Sequence, residues 1–73
     1  MNTYVEVIVS TEGEKASVIA EKLLDMGMKP GFGEHDFVYR WKENTVLPEL
    51  LKFIDSVQSR LKGSKAFLKF TTI

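Results

Sequence analysis

Tyr4 to Val9 reads YVEVIV, and its side chains sort onto two faces with a period of two. Val5, Val7 and Val9 share one face; Tyr4, Glu6 and Ile8 share the other. That alternation predicts a β-strand. The period then changes. Ala16, Ile19, Ala20 and Leu23 recur at helical spacing, while Lys15, Glu21, Lys22 and Asp25 are free to face water, so an amphipathic helix follows. Thr11 and Glu14 stand ahead of it at capping-box spacing, where each side chain can satisfy the other residue's backbone N–H. Gly27 falls where a left-handed C-cap would end the helix.

MKPGFGEH comes next, from Met28 to His35. Pro30, Gly31 and Gly33 predict a turn, or a very short strand and a turn. Phe37 to Lys42 is the second clear strand, with Phe37, Tyr39 and Trp41 on one face and Val38, Arg40 and Lys42 on the other. ENT breaks the chain. Asn44 or Thr45 is placed to cap a second helix, and Pro48 fits within its first turn. Leu47, Leu50, Leu51, Ile54, Val57 and Leu61 form the apolar face of that helix, with Phe53 beside them, and Gly63 ends it. Lys65 to Ile73 is a last strand. Ala66, Leu68 and Phe70 point one way; Phe67, Lys69, Thr71 and Ile73 point the other.

The order is β-α-β-α-β, and a short strand between Met28 and Gly33 would complete β-α-β-β-α-β. The expected fold class is therefore α+β: a ferredoxin-like plait, with an antiparallel sheet, helices on one face and a stunted second strand, all in a single domain over 1–73. Helices cover only one face of such a sheet. If the valines of the first strand lie beneath them, the other face keeps Tyr4, Ile8, Val38, Phe67 and Ile73. Monomers rarely expose a patch of that kind. A second copy packed sheet to sheet is the simplest cover, so a homodimer or higher homo-oligomer through the open face is expected.

Composition strengthens that expectation. A chain of 73 residues buries only about 60% of its unfolded surface and gains from further support. There is no cysteine, which excludes disulfides and thiolate-held zinc, and the single histidine cannot build a multi-histidine metal site. No cofactor is expected, and self-association remains as the supplement. Ten basic and ten acidic side chains give zero formal charge, without the basic excess that nucleic-acid binders use against phosphate. MNTYVEVIVS lacks the layout of a signal peptide, and no apolar run approaches the roughly 20 residues of a membrane span. A cytoplasmic protein without membrane or direct nucleic-acid partners is the expectation.

Candidate chemistry concentrates in GFGEHD, residues 31–36. Gly31 and Gly33 allow backbone N–H groups to approach an anion. Asp36 can meet an ammonium, and Arg40 a carboxylate from a ligand or a partner subunit. A plain hairpin turn accounts for the same glycines and aspartate. His35 taken alone reads as a surface residue, and Tyr39 and Trp41 read as core. The sequence has no P-loop, no GxGxxG and no carboxylate–histidine metal spacing. Acid–base work by His35 with Asp36 or Glu34 is the one catalytic option in view.

The run GEHDFVYRWKENTVLPELLKFIDSVQSRLKGSKAFLKFTTI resembles the second half of the effector-binding, or RAM, domain of Lrp/AsnC transcriptional regulators. In that family a Gly-x-[Tyr/His]-Asp turn enters an apolar strand. Gly33, His35 and Asp36 match the turn, Phe37 to Trp41 the strand, Leu47 to Leu61 the helix, and Thr71, Thr72 and Ile73 the end. YVEVIV and EGEKASVIAEKL match the first half more loosely. The resemblance implies a dimer through the sheets, higher assembly of dimers, and an amino-acid effector bound between subunits near Gly31, Gly33, His35 and Asp36. Two features depart from the family: the segment before the turn is shorter, and no helix-turn-helix precedes it, so a stand-alone form is expected. Two other readings stand beside this one. They are an ACT-like or other ferredoxin-like assembly module, and a small dimeric α+β barrel enzyme using His35.

Overall fold

The computed structural model describes every residue except Phe32 and Glu34. Its elements run β1 (Asn2–Ile8), α1 (Ala16–Asp25), β2 (Lys29–Pro30), β3 (Phe37–Arg40), α2 (Leu47–Arg60) and β4 (Phe67–Thr72). The strands form a four-stranded antiparallel sheet in the order β2-β3-β1-β4. This α+β architecture is compatible with a ferredoxin-like plait. The short strand expected after Met28 forms, and it is two residues long.

Strand register follows the side-chain alternation. Val5 sits between Phe37 and Phe70, and Val7 opposite Leu68. These residues pack with Ile19 and Leu23 of α1, Val57 and Leu61 at α2, and Met28. Tyr4 sits between Val38 and Thr71 on the other face, where Ile8 pairs with Phe67 and Glu6 with Lys69.

The helix ends show where local signals lost to tertiary contacts. The Thr11–Glu14 capping box does not form. Lys15 is the extended N-cap of α1 and no side chain caps it. The N–H of Glu14 instead donates to the Ser64 carbonyl at 3.0 Å, because the 10–14 loop is laid against the entry to β4. At α2 the cap position is Val46, beyond Asn44 and Thr45, with Pro48 in the first turn as expected. The C-terminus of α1 follows its signal closely. Gly27 has φ +93°, and Gly27 and Met28 donate to the carbonyls of Leu24 and Leu23. That is a Schellman motif, and it tucks Met28 into the core beside Leu23.

The apolar face of α2 is narrower than its sequence suggests. Leu50, Val57 and Leu61 are buried, while Leu47 and Leu51 are 63% and 50% exposed. At 3.6 residues per turn, Leu51 lies about 100° around the helix from Leu50. The sheet meets one side of α2, and the Leu47–Leu51 row falls on its flank.

Candidate functional site

The 31–36 turn joins β2 to β3 and is fastened through Asp36. Its N–H donates to the Val5 carbonyl at 2.9 Å, and its carbonyl accepts from Gly31 N–H at 2.8 Å. Its carboxylate Oδ2 accepts the Val7 N–H at 2.7 Å. The regular β1–β3 pairing ends at Val5 and Phe37, so Val7 has lost its strand neighbour there. The Asp36 side chain supplies the missing acceptor, and the bond is charge-assisted.

The glycines divide into two kinds. A Cβ on Gly31 would stand 2.5 Å from the His35 carbonyl oxygen, so the turn's own backbone fills the space that the missing side chain leaves. Gly33 has φ +66° and nothing within 4 Å of its Cβ direction among the described residues, so geometry requires it but crowding does not. His35 lies over Tyr4, with ring centroids 4.7 Å apart and planes tilted by 33°. That places it on the sheet face without helices.

A cleft of about 350 Å³ opens between the end of β1 and the start of α1. Val7, Val9, Ala16, Ile19, Ala20 and Phe37 line it, and among the described residues Asp36 is the one ionisable group in its wall. Asp36 therefore has two neighbours: the β1 backbone it holds and this apolar cleft. Sequence reasoning had placed Asp36 as a candidate. It had not brought the first turn of α1 near it, because residues 16–20 and residue 36 border one cleft through the fold and leave no local pattern. The helix start at this cleft carries no acidic residue in its first turn, so its partial positive charge is not neutralised by its own side chains.

Arg40 does not join this group. It lies at the far end of β3, about 13 Å along an extended chain from Asp36, opposite Asn2. There it borders a cleft of about 270 Å³ with Thr45 and Glu49. Of the candidate ligand residues, Gly31 and Asp36 are brought together by a hydrogen bond; His35 adjoins them in the chain but faces Tyr4. Glu34, the other acid weighed beside His35, lies outside the described residues.

The candidate interface residues differ in exposure. Ile8, Phe67 and Ile73 are 61%, 73% and 76% exposed, Tyr4 is half-buried, and Val38 is already covered at 6%. The exposed apolar area therefore centres on the Ile8–Phe67 cross-strand pair. Among the buried polar residues that escaped the sequence reading, Thr3 matters most to the sheet. Thr3 is fully buried on the core face, and its hydroxyl meets both Trp41 and Thr72. The parity of Thr3 with Val5, and of Thr72 with Phe70, was the available signal.

Among the described residues no group of three or more His, Asp or Glu side chains is placed to hold a metal ion, and no helix is long and apolar enough to cross a membrane. No protein-family model, curated protein or solved structure matches the chain.

Proposed function

We propose that the chain is a ferredoxin-like regulatory module that binds a small molecule, an amino acid being the class that fits best, and self-associates through its open sheet face. The observation that carries the ligand reading is the carboxylate of Asp36, the one ionisable group among the described residues of an otherwise apolar cleft wall. An ammonium needs one such acceptor. An apolar side chain needs walls such as Val7, Ile19 and Phe37. An α-carboxylate would find the start of α1, whose first turn carries no acidic residue of its own. The resemblance of the Gly33–Asp36 turn and the following strand to RAM domains supports the same class of ligand. The exposed Ile8–Phe67 pair supports assembly.

A thermal-shift screen with the twenty amino acids tests this reading. A ligand that binds only the native state raises its midpoint. Aliphatic amino acids should give the largest rise, and their decarboxylated amines a smaller one. No shift at millimolar concentration with any amino acid would remove the ligand assignment.

A further inference from the structure

We propose that the loop between α2 and β4 binds a phosphate monoester carried on an apolar body such as an aromatic ring. The loop reads LKGSKA from Leu61 to Ala66, and the sign of φ alternates along it. Gly63 has φ +85° and Lys65 has φ +61°, while Lys62 and Ser64 keep negative φ. Backbone that alternates in this way turns successive N–H groups toward one side and makes a concave site for an anion. Two of these N–H groups are already used. Ser64 donates to the Leu61 carbonyl at 3.0 Å, and Ala66 donates to Ser64 Oγ at 3.3 Å. Among the described residues no acceptor meets the N–H of Gly63 or of Lys65.

Tertiary contacts hold the loop in this form. Lys65 is the one non-glycine residue with positive φ among the described residues, a conformation that a lysine adopts only where its surroundings impose it. The 10–14 loop does so. Glu14 N–H donates to the Ser64 carbonyl at 3.0 Å. Gly13 lies so close that a Cβ on it would run into that carbonyl and crowd the Cβ of Lys65. The site is therefore shaped before any ligand arrives.

The loop opens on a groove of about 630 Å³ between the end of α2 and β4, with Leu61, Leu68 and Phe70 as its apolar floor. Lys62 and Lys65 add two ammonium groups at its rim, neither of them in an ion pair among the described residues. No described acid lines the groove; Glu14 meets the loop through its backbone and is not part of the lining. A free amino acid would find no carboxylate here for its ammonium. A phosphate monoester brings up to two negative charges and three acceptor oxygens, enough for both N–H groups and both lysines, where a carboxylate offers two oxygens. Its apolar body would cover Leu61, Leu68 and Phe70. This groove is separate from the Asp36 cleft and from the open face, so the inference stands or falls separately from the ligand and assembly readings above.

Amide chemical shifts of the full chain test the proposal, with phenyl phosphate as probe and inorganic phosphate and benzoate as comparisons. The Gly63 and Lys65 amide signals should move with phenyl phosphate along one saturating curve, and both comparisons should bind severalfold more weakly. Binding should tighten as the pH rises through about 6, where a phosphate monoester loses its second proton. Lys62→Gln with Lys65→Asn should weaken probe binding roughly fivefold or more, the scale of two exposed ion pairs. Asparagine is chosen at 65 because it tolerates positive φ, and signals that keep their positions elsewhere show the variant folded. Still signals at Gly63 and Lys65 up to millimolar probe overturn the proposal, as does unchanged affinity in the folded variant. Equal affinity for inorganic phosphate would remove the apolar body, and equal affinity for benzoate would remove the phosphate; either result also overturns it.

Discussion

Trp41 donates its indole N–H to Oγ1 of Thr3 at 2.8 Å, tying the residue just past β3 to the buried middle of the sheet. The Thr3 hydroxyl lies 2.9 Å from that of Thr72, so one buried oxygen links β1, β3 and β4. The indole also packs edge-on against Phe53, with centroids 5.4 Å apart, and lies 4.6 Å from Tyr39. The network thus reaches α2 as well. Thr3→Val keeps the shape of the side chain and removes both bonds, leaving the Trp41 indole N–H without its acceptor and the exposed Thr72 hydroxyl to water. We expect a loss of about 1–2 kcal/mol in urea unfolding, the scale of orphaned polar groups. Trp41 is the only tryptophan, so its fluorescence reports the site directly. Unchanged stability would mean that water replaces Thr3 at no cost.

Much of the fold was legible because its signals are local. The alternation of Val5 and Val7 against Tyr4 and Ile8, the helical spacing of Ile19 and Leu23, and the stop at Gly27 each depend on a few neighbours in the chain. What failed depended on distant partners. Glu14 left its capping box for the Ser64 carbonyl, and Leu47 and Leu51 fell off the buried side of α2. At the candidate site, Asp36 was visible as a polar residue in a glycine turn. Its cleft was not, since the wall comes from α1 and the bond from Val7.

The α2 finding gives a paired prediction. Leu23 is fully buried and Leu51 is half exposed, although both sit in apolar helical patterns. Leu23→Ala should cost about 2–5 kcal/mol, as cavity-forming changes in cores do, and Leu51→Ala less than about 0.5 kcal/mol. Similar losses in chemical denaturation would show that Leu51 is covered in solution.

The two turn glycines should respond in opposite ways to asparagine. Gly31→Ala places a methyl against the His35 carbonyl and should cost about 1–3 kcal/mol, the range for overpacking. Gly33→Ala should cost about 1–2 kcal/mol through its left-handed backbone alone. Gly33→Asn should recover much of that loss, since asparagine tolerates φ > 0, whereas Gly31→Asn should recover none. Thermal midpoints of the four variants decide it; recovery at Gly31 would contradict the close approach.

Asp36 has a structural bond and a proposed ligand bond, and charge removal separates them. Asparagine in Asp36→Asn can still accept the Val7 N–H through its side-chain carbonyl, so we expect under about 1 kcal/mol of lost stability. An ammonium in the cleft would lose its counter-charge, and binding of the best amino acid from the screen should weaken by about 1.5–3 kcal/mol. Titration calorimetry on both proteins makes the comparison. Equal affinity would assign Asp36 to the turn alone and place any ligand elsewhere.

The open face should hold the assembly together, and its centre is small enough to test with two substitutions. Ile8 and Phe67 are cross-strand partners, 61% and 73% exposed in the single chain. Covering a large apolar side chain is worth about 1.5–3 kcal/mol, and a two-fold contact counts each residue twice. We expect sedimentation equilibrium at micromolar protein to give a mass above the 8.3 kDa of one chain. Ile8→Thr with Phe67→Thr places β-branched threonine, a good strand former, in both strands, so β1–β4 pairing should survive. The dimer should nevertheless weaken by roughly a hundredfold or more. Leu47→Thr is the control, because Leu47 is equally exposed at 63% but belongs to α2 and not to the open face. A monomer mass for the unaltered chain across the micromolar range, or equal weakening by Leu47→Thr, would move the interface away from this face.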